Sequence, residues 1–345
     1  MSPMTTSLLI SSLATGTIIT ASSHHWLMAW IGLELNTLSI IPIISKQHHP
    51  RATEAATKYF LTQAAASATV LFSSTLNAWQ TGSWDITQMT STTSNILLTL
   101  ALAMKLGLAP THFWLPEVLQ GSTMKTALII TTWQKLAPMA LIYQTMNNLP
   151  PTLLLFMAAT STLIGGWGGL NQTQLRKLMA YSSIAHLGWM AAITPIMSNI
   201  LILNLMIYLL MTTSMFTALI LSKSKTIQDT ATSWTYSPML TTITMPTLLS
   251  LGGLPPLTGF LPKWLIMEEL TLQNLIPITV TLAMASLLSL FFYLRLTYTT
   301  SLTLSPNTTT SHYKWRFKST RTPLLLNIAA PMATLMLPIS PLILQ

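Results

Sequence analysis

Cysteine is absent from the 345 residues of this chain, and charged residues make up only 7% of it. Without cysteine the chain can form neither disulfides nor thiolate-bound iron–sulfur or zinc sites, so any redox centre must lie on another protein. So few charges cannot cover the surface of a soluble globule of this size. Half of the residues are hydrophobic. We therefore predict a membrane protein.

Acidic residues are scarce as well: seven stand against 16 lysines and arginines, which gives a net charge of +9. The basic residues lie in short loops between apolar segments, which favours an orientation signal over nucleic-acid binding. No basic segment precedes the first apolar span, so a cleaved signal or transit peptide is not expected. Walker-type, HExxH, GxSxG and dinucleotide motifs are missing from the sequence, and no catalytic motif of these classes is predicted.

The apolar segments predict an all-α polytopic protein, because about 20 apolar residues cross the hydrocarbon core of a membrane. We predict a single integral membrane domain over residues 1–345 with about eleven transmembrane helices. These are 3–21, 25–44, 56–80, 95–121 (broken), 125–143, 151–169, 176–194, 197–221, 238–270 (broken), 272–297 and 323–343.

The basic loops of this arrangement all fall on one side of the membrane. They follow the second, sixth, eighth and tenth predicted helices. Composition rich in Leu, Met and Thr is typical of proteins encoded inside mitochondria, and positive loops stay on the side of insertion. The amino terminus is therefore expected in the matrix and the carboxyl terminus in the intermembrane space. The polar segment 300–322 is predicted to be a surface loop that could contact lipid or a partner.

Two apolar segments are interrupted in the same way. Residues 104–117 and 251–263 both begin near a Leu-Gly pair, have a proline three residues later, and end in an aromatic residue, Leu-Pro and a charge; the two glycines, Gly107 and Gly252, are 145 positions apart. Proline breaks a helix, and paired broken helices indicate the internal repeats of transporters, with a site near the midplane. Two short matches can also arise by chance. The helix-breaking residues are Pro110, Pro116, Pro255, Pro256 and Pro262.

Charged side chains inside predicted spans are functional candidates, because each costs about 3 kcal/mol to insert. Glu34 is near the middle of the second helix, and Lys105 is its natural partner. A purely structural ion pair is the alternative. Lys135 and Lys263 are also central in their helices. Because burial disfavours the charged amine, such lysines can exchange protons when nearby charges change.

Two histidines are further candidates for a proton relay. His186 lies mid-helix and His112 lies in the first interruption, and an unperturbed imidazole titrates near neutral pH. A lone histidine is also often a hydrogen-bonded packing residue. Lys125 and Arg295 lie near helix ends and are expected to extend toward the membrane surface. No metal or cofactor site is predicted.

Several longer motifs resemble the antiporter-like membrane subunits of respiratory complex I from vertebrate mitochondria. The resemblance runs from the first helix to about residue 300. The motifs are WIGLE at 30–34, EAATKYF at 54–60, KLGLAP at 105–110, HFWLPE at 112–117, WQK at 133–135, NQTQ at 171–174, KLMAYSSIAH at 177–186 and LGGLPPLTGF at 251–260.

The resemblance implies two inverted five-helix repeats, each with a discontinuous helix. It also implies that Glu34 and Lys105 form a modulating ion pair, that Lys135 is the central relay lysine, and that Lys263 serves a second half-channel. The first break has Glu117 where the second has Lys263.

The activity implied is proton translocation across the mitochondrial inner membrane, driven by electron transfer from NADH to ubiquinone. The implied cofactors, NADH, FMN, iron–sulfur clusters and ubiquinone, would all be bound by partner subunits. Other complex I membrane subunits, including further antiporter-like chains, and lipids are the implied partners. An independent cation/proton antiporter and a structural spacer are the alternatives.

Overall fold

The computed structural model describes residues 2–47, 49–301 and 324–339. In this part of the chain the regular secondary structure is helical, apart from two isolated β-bridges. The all-α prediction is therefore confirmed. His48, most of the predicted loop 300–322 and the end of the last predicted helix lie outside the described residues.

Within the described residues the α-helices follow one another along the chain. They are α1 (Pro3–Ser22), α2 (Trp26–Ile44), α3 (Pro50–Thr81), α4 (Thr92–Leu106), α5 (Trp114–Gly121), α6 (Met124–Thr131), α7 (Trp133–Thr145), α8 (Pro151–Leu170), α9 (Leu175–Ile193), α10 (Ser198–Ser222), α11 (Ile227–Ala231), α12 (Ser233–Tyr236), α13 (Pro238–Gly252), α14 (Phe260–Leu272), α15 (Ile276–Ser301) and α16 (Leu324–Leu335). Short 3-10 turns follow α2 and α16. Five of these described helices, α1, α2, α8, α10 and α15, are long and apolar enough to cross a membrane.

The chain divides into two compact units. Unit 1 comprises Met1–Ile164 and Ser183–Ser198, and unit 2 comprises Gly165–Ser182 and Asn199–Gln345. In unit 1, α2, α4 and α5 all pack on α3, and α1 and α4 pack on α7. In unit 2, α11, α13 and α14 pack on α15, and α16 packs on α13. Each unit therefore packs the two halves of an interrupted helix, α4 and α5 or α13 and α14, against one long continuous helix, α3 or α15.

Helices α1 and α2 cross at two glycines. A Cβ atom on Gly32 would lie 2.9 Å from the carbonyl oxygen of Gly16 and 2.6 Å from Cγ2 of Thr20. A Cβ atom on Gly16 would lie 2.9 Å from the carbonyl oxygen of Gly32. Small residues let helix backbones approach closely in a membrane, where packing rather than water drives association. Glycine at both positions sets the separation of these two helices.

We expect Gly32→Val to destabilise unit 1. The added side chain must push α1 away from α2, and overpacking of this kind costs about 1–3 kcal/mol. The midpoint of thermal unfolding of the detergent-solubilised protein measures the effect. Ser11→Val is the control, because it adds bulk to an exposed position of α1; an equal loss in both variants would contradict this explanation.

Two basic loops lie side by side in unit 2. The amide of Leu175 donates to the carbonyl of Lys225 (3.1 Å), and the amide of Ile227 donates to the carbonyl of Thr173 (3.1 Å). Thr226 and Asp229 form a capping box that begins α11. Partial burial opposes ionisation of the Asp229 carboxyl, but backbone hydrogen bonds from Lys225 and Thr226 prevail and lower its pKa. The loops after α8 and α10 are therefore joined at the same end of unit 2.

The helix that carries Lys135 is itself interrupted, which the sequence did not predict. The predicted span 125–143 consists of α6 and α7, with Thr132 between them at φ −108° and ψ −72°. The Thr132 hydroxyl donates to the carbonyl of Leu128 (2.6 Å). Pro138 has no N–H and its ring is incompatible with the carbonyl four residues earlier, that of Gln134. Pro138 and Gln134 both lie inside α7, so the local cause of the break at Thr132 is the hydroxyl that competes for a helical carbonyl.

Candidate functional site

The first interruption separates α4 from α5 and begins at a glycine. Gly107 adopts the left-handed conformation (φ 79°, ψ 39°) that ends α4. Its amide and that of Leu108 both donate to the carbonyl of Ala103 (2.8 and 3.0 Å). The indole Nε1 of Trp114 donates to the carbonyl of Met104 (3.0 Å). These contacts pair carbonyls that lose their helical donors where the chain turns.

The second interruption, between α13 and α14, repeats this geometry. Gly253 has φ 80° and ψ 45°, and the amides of Gly253 and Leu254 donate to the carbonyl of Leu249 (3.1 and 3.3 Å). The structural counterpart of Gly107 is thus Gly253, at a separation of 146 (253 minus 107), and not Gly252 as the Leu-Gly match predicted. With that separation Pro110 corresponds to Pro256, and the closing Leu-Pro-charge motifs align without a shift.

At both interruptions a lysine ammonium donates a hydrogen bond to the equivalent backbone carbonyl. The Lys135 ammonium donates to the carbonyl of Leu106, the last residue of α4. The Lys263 ammonium donates to the carbonyl of Gly252, the last residue of α13, at 2.8 Å. These carbonyls are counterparts at the separation of 146, and each lies at the negative end of a half-helix, which favours a cation. Both lysine side chains are buried, with 1% and 8% exposure.

Lys105 and Lys135 face one small internal cavity in unit 1. The other polar side chains of its wall come from α2, α3 and α7: Asn36, Thr37, Tyr59, Gln63 and Gln134. The Tyr59 hydroxyl donates to Oε1 of Gln134 (3.4 Å), and Nε2 of Gln134 donates to the carbonyl of Asn36 (3.3 Å). Lys105 therefore lines the same cavity as Lys135, the lysine that binds the C-terminal end of α4.

Glu34 is not in direct contact with Lys105 in this structure. The Thr37 hydroxyl donates to the Glu34 carboxylate (3.2 Å), and the ammonium of Lys105 has no hydrogen-bond partner among the described residues. The Glu34 carboxylate acts on Lys105 and on Tyr59 through space instead. Glu34 and Lys105 therefore interact by long-range electrostatics and do not form a hydrogen-bonded ion pair.

The two histidines are both buried, and the two end-of-helix cations are not. His112 is 4% exposed and lies against the ring of Phe113, with the centroids 4.3 Å apart; His186 is 6% exposed in α9. Lys125 is exposed. Arg295 donates to the carbonyl of Leu170 (2.9 Å), so its guanidinium binds the C-terminal end of α8.

Glu117, the counterpart of Lys263 at the first interruption, has a different environment. Its carboxylate pairs with the ammonium of Lys58 at 2.6 Å, and the same ammonium pairs with Glu54 at 2.6 Å. All three side chains are largely exposed, with the Glu117 side chain at 52%. The charge that follows the first Leu-Pro motif therefore joins a surface ion pair, while the charge that follows the second lies inside unit 2.

Comparison with known proteins covers nearly the whole chain. A family model described as the transmembrane region of the NADH:quinone oxidoreductase/Mrp antiporter family matches residues 23–289, and one described as the NADH dehydrogenase subunit 2 C-terminus matches 290–344. NADH-ubiquinone oxidoreductase chain 2 of Xenopus laevis is 58% identical over 342 residues, covering 99% of each chain. That of Varanus timorensis is 57% identical over 345 residues, covering 100% of each. The chain belongs to the NADH-ubiquinone oxidoreductase chain 2 family.

Solved structures agree with the predicted antiporter-like fold. A chain of respiratory complex I from Thermus thermophilus with bound aureothin superimposes with a TM-score of 0.84 at 28% identity, over 98% of this chain and 80% of that one. A chain of the Mrp complex from Dietzia superimposes with a TM-score of 0.85 at 16% identity, over 97% and 75%, and shows the fold alone. The predicted antiporter-like fold and the resemblance found in the motifs are both confirmed.

The polar wall of the unit 1 cavity was missed in the sequence of this chain 2 protein. Asn36 and Gln63 are 2% and 4% exposed, yet they carry no charge and form no recognisable motif. The sequence does show amide side chains within apolar spans, and these are notable because burying an amide without a hydrogen bond costs free energy. It does not show which amides face the same cavity, since they come from different helices.

Proposed function

We propose that this chain is a membrane subunit of respiratory complex I, the proton-translocating NADH:ubiquinone reductase, and that it moves protons across the mitochondrial inner membrane. The observation that carries the proposal is the pair of buried lysines on equivalent carbonyls of two interrupted helices. Half-helix ends and unwound carbonyls are where membrane transporters coordinate protons and sodium ions. The names of the chain 2 homologues indicate the reaction that drives this movement, electron transfer from NADH to ubiquinone.

Within unit 1 the relay runs from Glu34 through Lys105 to Lys135. Glu34 attracts the charge of Lys105, and the ammonium groups of Lys105 and Lys135 repel each other because they face the same cavity. We therefore expect a change at Glu34 to alter the protonation of Lys105 and, through the field in the shared cavity, that of Lys135. His186 and His112 provide further places for a proton in this unit. Lys263 carries the equivalent proton in unit 2.

The redox chemistry belongs to the partner subunits. NADH, FMN, iron–sulfur clusters and ubiquinone would bind there, and this chain would contact other membrane subunits, including further antiporter-like chains, and lipids. The amino terminus would face the matrix and the carboxyl terminus the intermembrane space. The contact between the basic loops around Arg176 and Lys225 supports a shared side for these charges.

The proposal predicts that the chain migrates with a large NADH-oxidising assembly. Native membranes are solubilised gently and separated on a native gel, which is stained for NADH oxidation and probed for this chain. Co-migration with the stained band is the expected result. Migration alone or as a small oligomer would contradict the proposal and favour an independent cation/proton antiporter, which is then tested by ion flux in vesicles.

A further inference from the structure

Trp114 touches both halves of the first interrupted helix and the central lysine. It is the first residue of α5 and is 7% exposed. Its indole Nε1 donates to the carbonyl of Met104 in α4 (3.0 Å). The ammonium of Lys135, from α7, lies over its ring, 5.4 Å from the centroid. A tryptophan ring attracts a cation electrostatically when the cation lies over its face within about 6 Å. This one side chain therefore connects three helices at the interruption.

Two neighbours confine the ring of Trp114. Tyr59 of α3 lies edge-on to it, with the ring centroids 5.8 Å apart and the planes at 65°. Gly107 also lies against the indole, because a Cβ atom on this glycine would be 3.4 Å from Cζ2 and 3.6 Å from Cε2 and Nε1. Together with the hydrogen bond to Met104, these contacts hold the ring where it meets the Lys135 ammonium.

The second interruption fills the equivalent place with a different side chain. Phe260 is the counterpart of Trp114 at the separation of 146 (260 minus 114). A Cβ atom on Gly253 would meet atoms of the Lys263 side chain at 2.8–3.1 Å, whereas the indole has this place at the first interruption. Lys263 belongs to the second half-helix, α14, and Lys135 belongs to a separate helix, α7. In unit 1 the half-helix therefore contributes a ring beside the glycine, and the lysine comes from outside it.

We propose that the ring of Trp114 positions the Lys135 ammonium on the carbonyl of Leu106. The inference rests on the proposed proton translocation and adds a residue to it. An ammonium has three N–H donors, and among the described residues the Lys135 ammonium donates to the Leu106 carbonyl. The ring face supplies a second attraction for the same cation. Trp114 exchanges no proton and acts through Lys135, so it is a positioning residue.

The location of the Lys135 amine tests the inference without a measurement of activity. Leucine in place of Trp114 removes the ring and keeps an apolar side chain. In a high-resolution structure of the intact Trp114→Leu complex, we expect this amine to lie beyond hydrogen-bond distance, about 3.2 Å, of the Leu106 carbonyl. In the unmodified complex it should lie on that carbonyl and over the ring. An amine that stays on the carbonyl in Trp114→Leu would overturn the inference.

Proton movement tests whether the ring face itself acts. The attraction between a tryptophan ring and a cation corresponds to about 2–30-fold in an equilibrium constant. We expect Trp114→Leu to reduce the flux through this chain by about that factor, measured as protons translocated per NADH. Trp114→Phe loses the indole N–H but keeps a ring that also attracts cations, so it should retain more translocation than Trp114→Leu. Equal losses in the two variants would assign the effect to the hydrogen bond with Met104 and would overturn the inference.

Phe260→Leu is the matched control from the second interruption. It also replaces an aromatic residue by leucine at the start of a second half-helix, and among the described residues the lysine that lies over a ring is Lys135 on Trp114. Translocation like that of the unmodified complex is expected. A loss equal to that of Trp114→Leu would assign both effects to packing at the interruptions and would overturn the inference.

The outcomes separate this inference from the proposed function. Unchanged translocation by an assembled Trp114→Leu complex would overturn the positioning role, while a loss in Lys135→Met would still support proton translocation by this chain. Unchanged translocation in both variants would contradict the inference and the proposed function together. If Trp114→Leu does not assemble, the unmodified complex decides: a Lys135 amine more than about 6 Å from the ring centroid would overturn the inference.

Discussion

Replacing Lys135 by methionine is expected to stop proton movement through this chain. Methionine matches the length of the lysine side chain but has no amine, and a positioned proton-transfer group contributes roughly 10²–10⁴-fold to rate. The flux through this chain should therefore fall by about 100-fold or more. The measurement is the number of protons translocated per NADH oxidised, normalised to assembled complex, because the loss of the hydrogen bond to Leu106 also lowers stability.

Lys135→Arg distinguishes proton transfer from structural support. Arginine keeps a cation that can bind the end of α4, but it does not release its proton at physiological pH. We expect it to assemble better than Lys135→Met and to translocate as poorly. Lys125→Met, on the exposed surface of α6, is the control and should behave as wild type. Normal translocation by Lys135→Arg would show that charge alone suffices, as a structural spacer requires.

The fold was largely predictable because each of its determinants is local. Apolar length marks the spans, and glycine followed by proline marks the interruptions near 107–110 and 253–256. The sequence alone did not show which residues of the two repeats correspond. Gly252 and Gly253 are adjacent, and only the left-handed conformation of Gly253 shows which of them ends the helix. The interruption at Thr132 was missed because a threonine hydroxyl that bonds to the carbonyl of Leu128 leaves no distinctive pattern in an apolar span.

The site was predictable where it involves charge and not where it involves neutral amides. Lys105, Lys135 and Lys263 stood out because charge inside a membrane is costly. Asn36 and Gln63 cost less, and the cavity that unites them with the lysines depends on how α2, α3, α4 and α7 pack. The sequence also favoured a direct pair between Glu34 and Lys105. In the structure Thr37 binds the Glu34 carboxylate, because a hydroxyl three residues along the same helix reaches it locally.

The second large effect is expected from Lys263→Met, because Lys263 binds a carbonyl at the second interruption. Lys263→Met removes the only ammonium that the described residues place on Gly252, just as Lys135→Met removes the one on Leu106. The two lysines come from helices that are not counterparts in the repeat, α14 and α7, so what they share is the carbonyl at the interruption. We therefore expect Lys263→Met to reduce proton translocation through this chain by about 100-fold or more as well.

Glu117→Gln is the control that the repeat itself supplies. Glu117 corresponds to Lys263 at the separation of 146, but it binds Lys58 on the surface, where an ion pair contributes little. If the carbonyl site determines function, Glu117→Gln should translocate protons like wild type while Lys263→Met does not. Equal losses in the two variants would mean that the residue after the Leu-Pro motif matters in both halves, and that the shared carbonyl does not. The ratio of protons to NADH in the two assembled complexes decides between these explanations, because each variant removes the charge at one of two matching positions, one exposed and one buried.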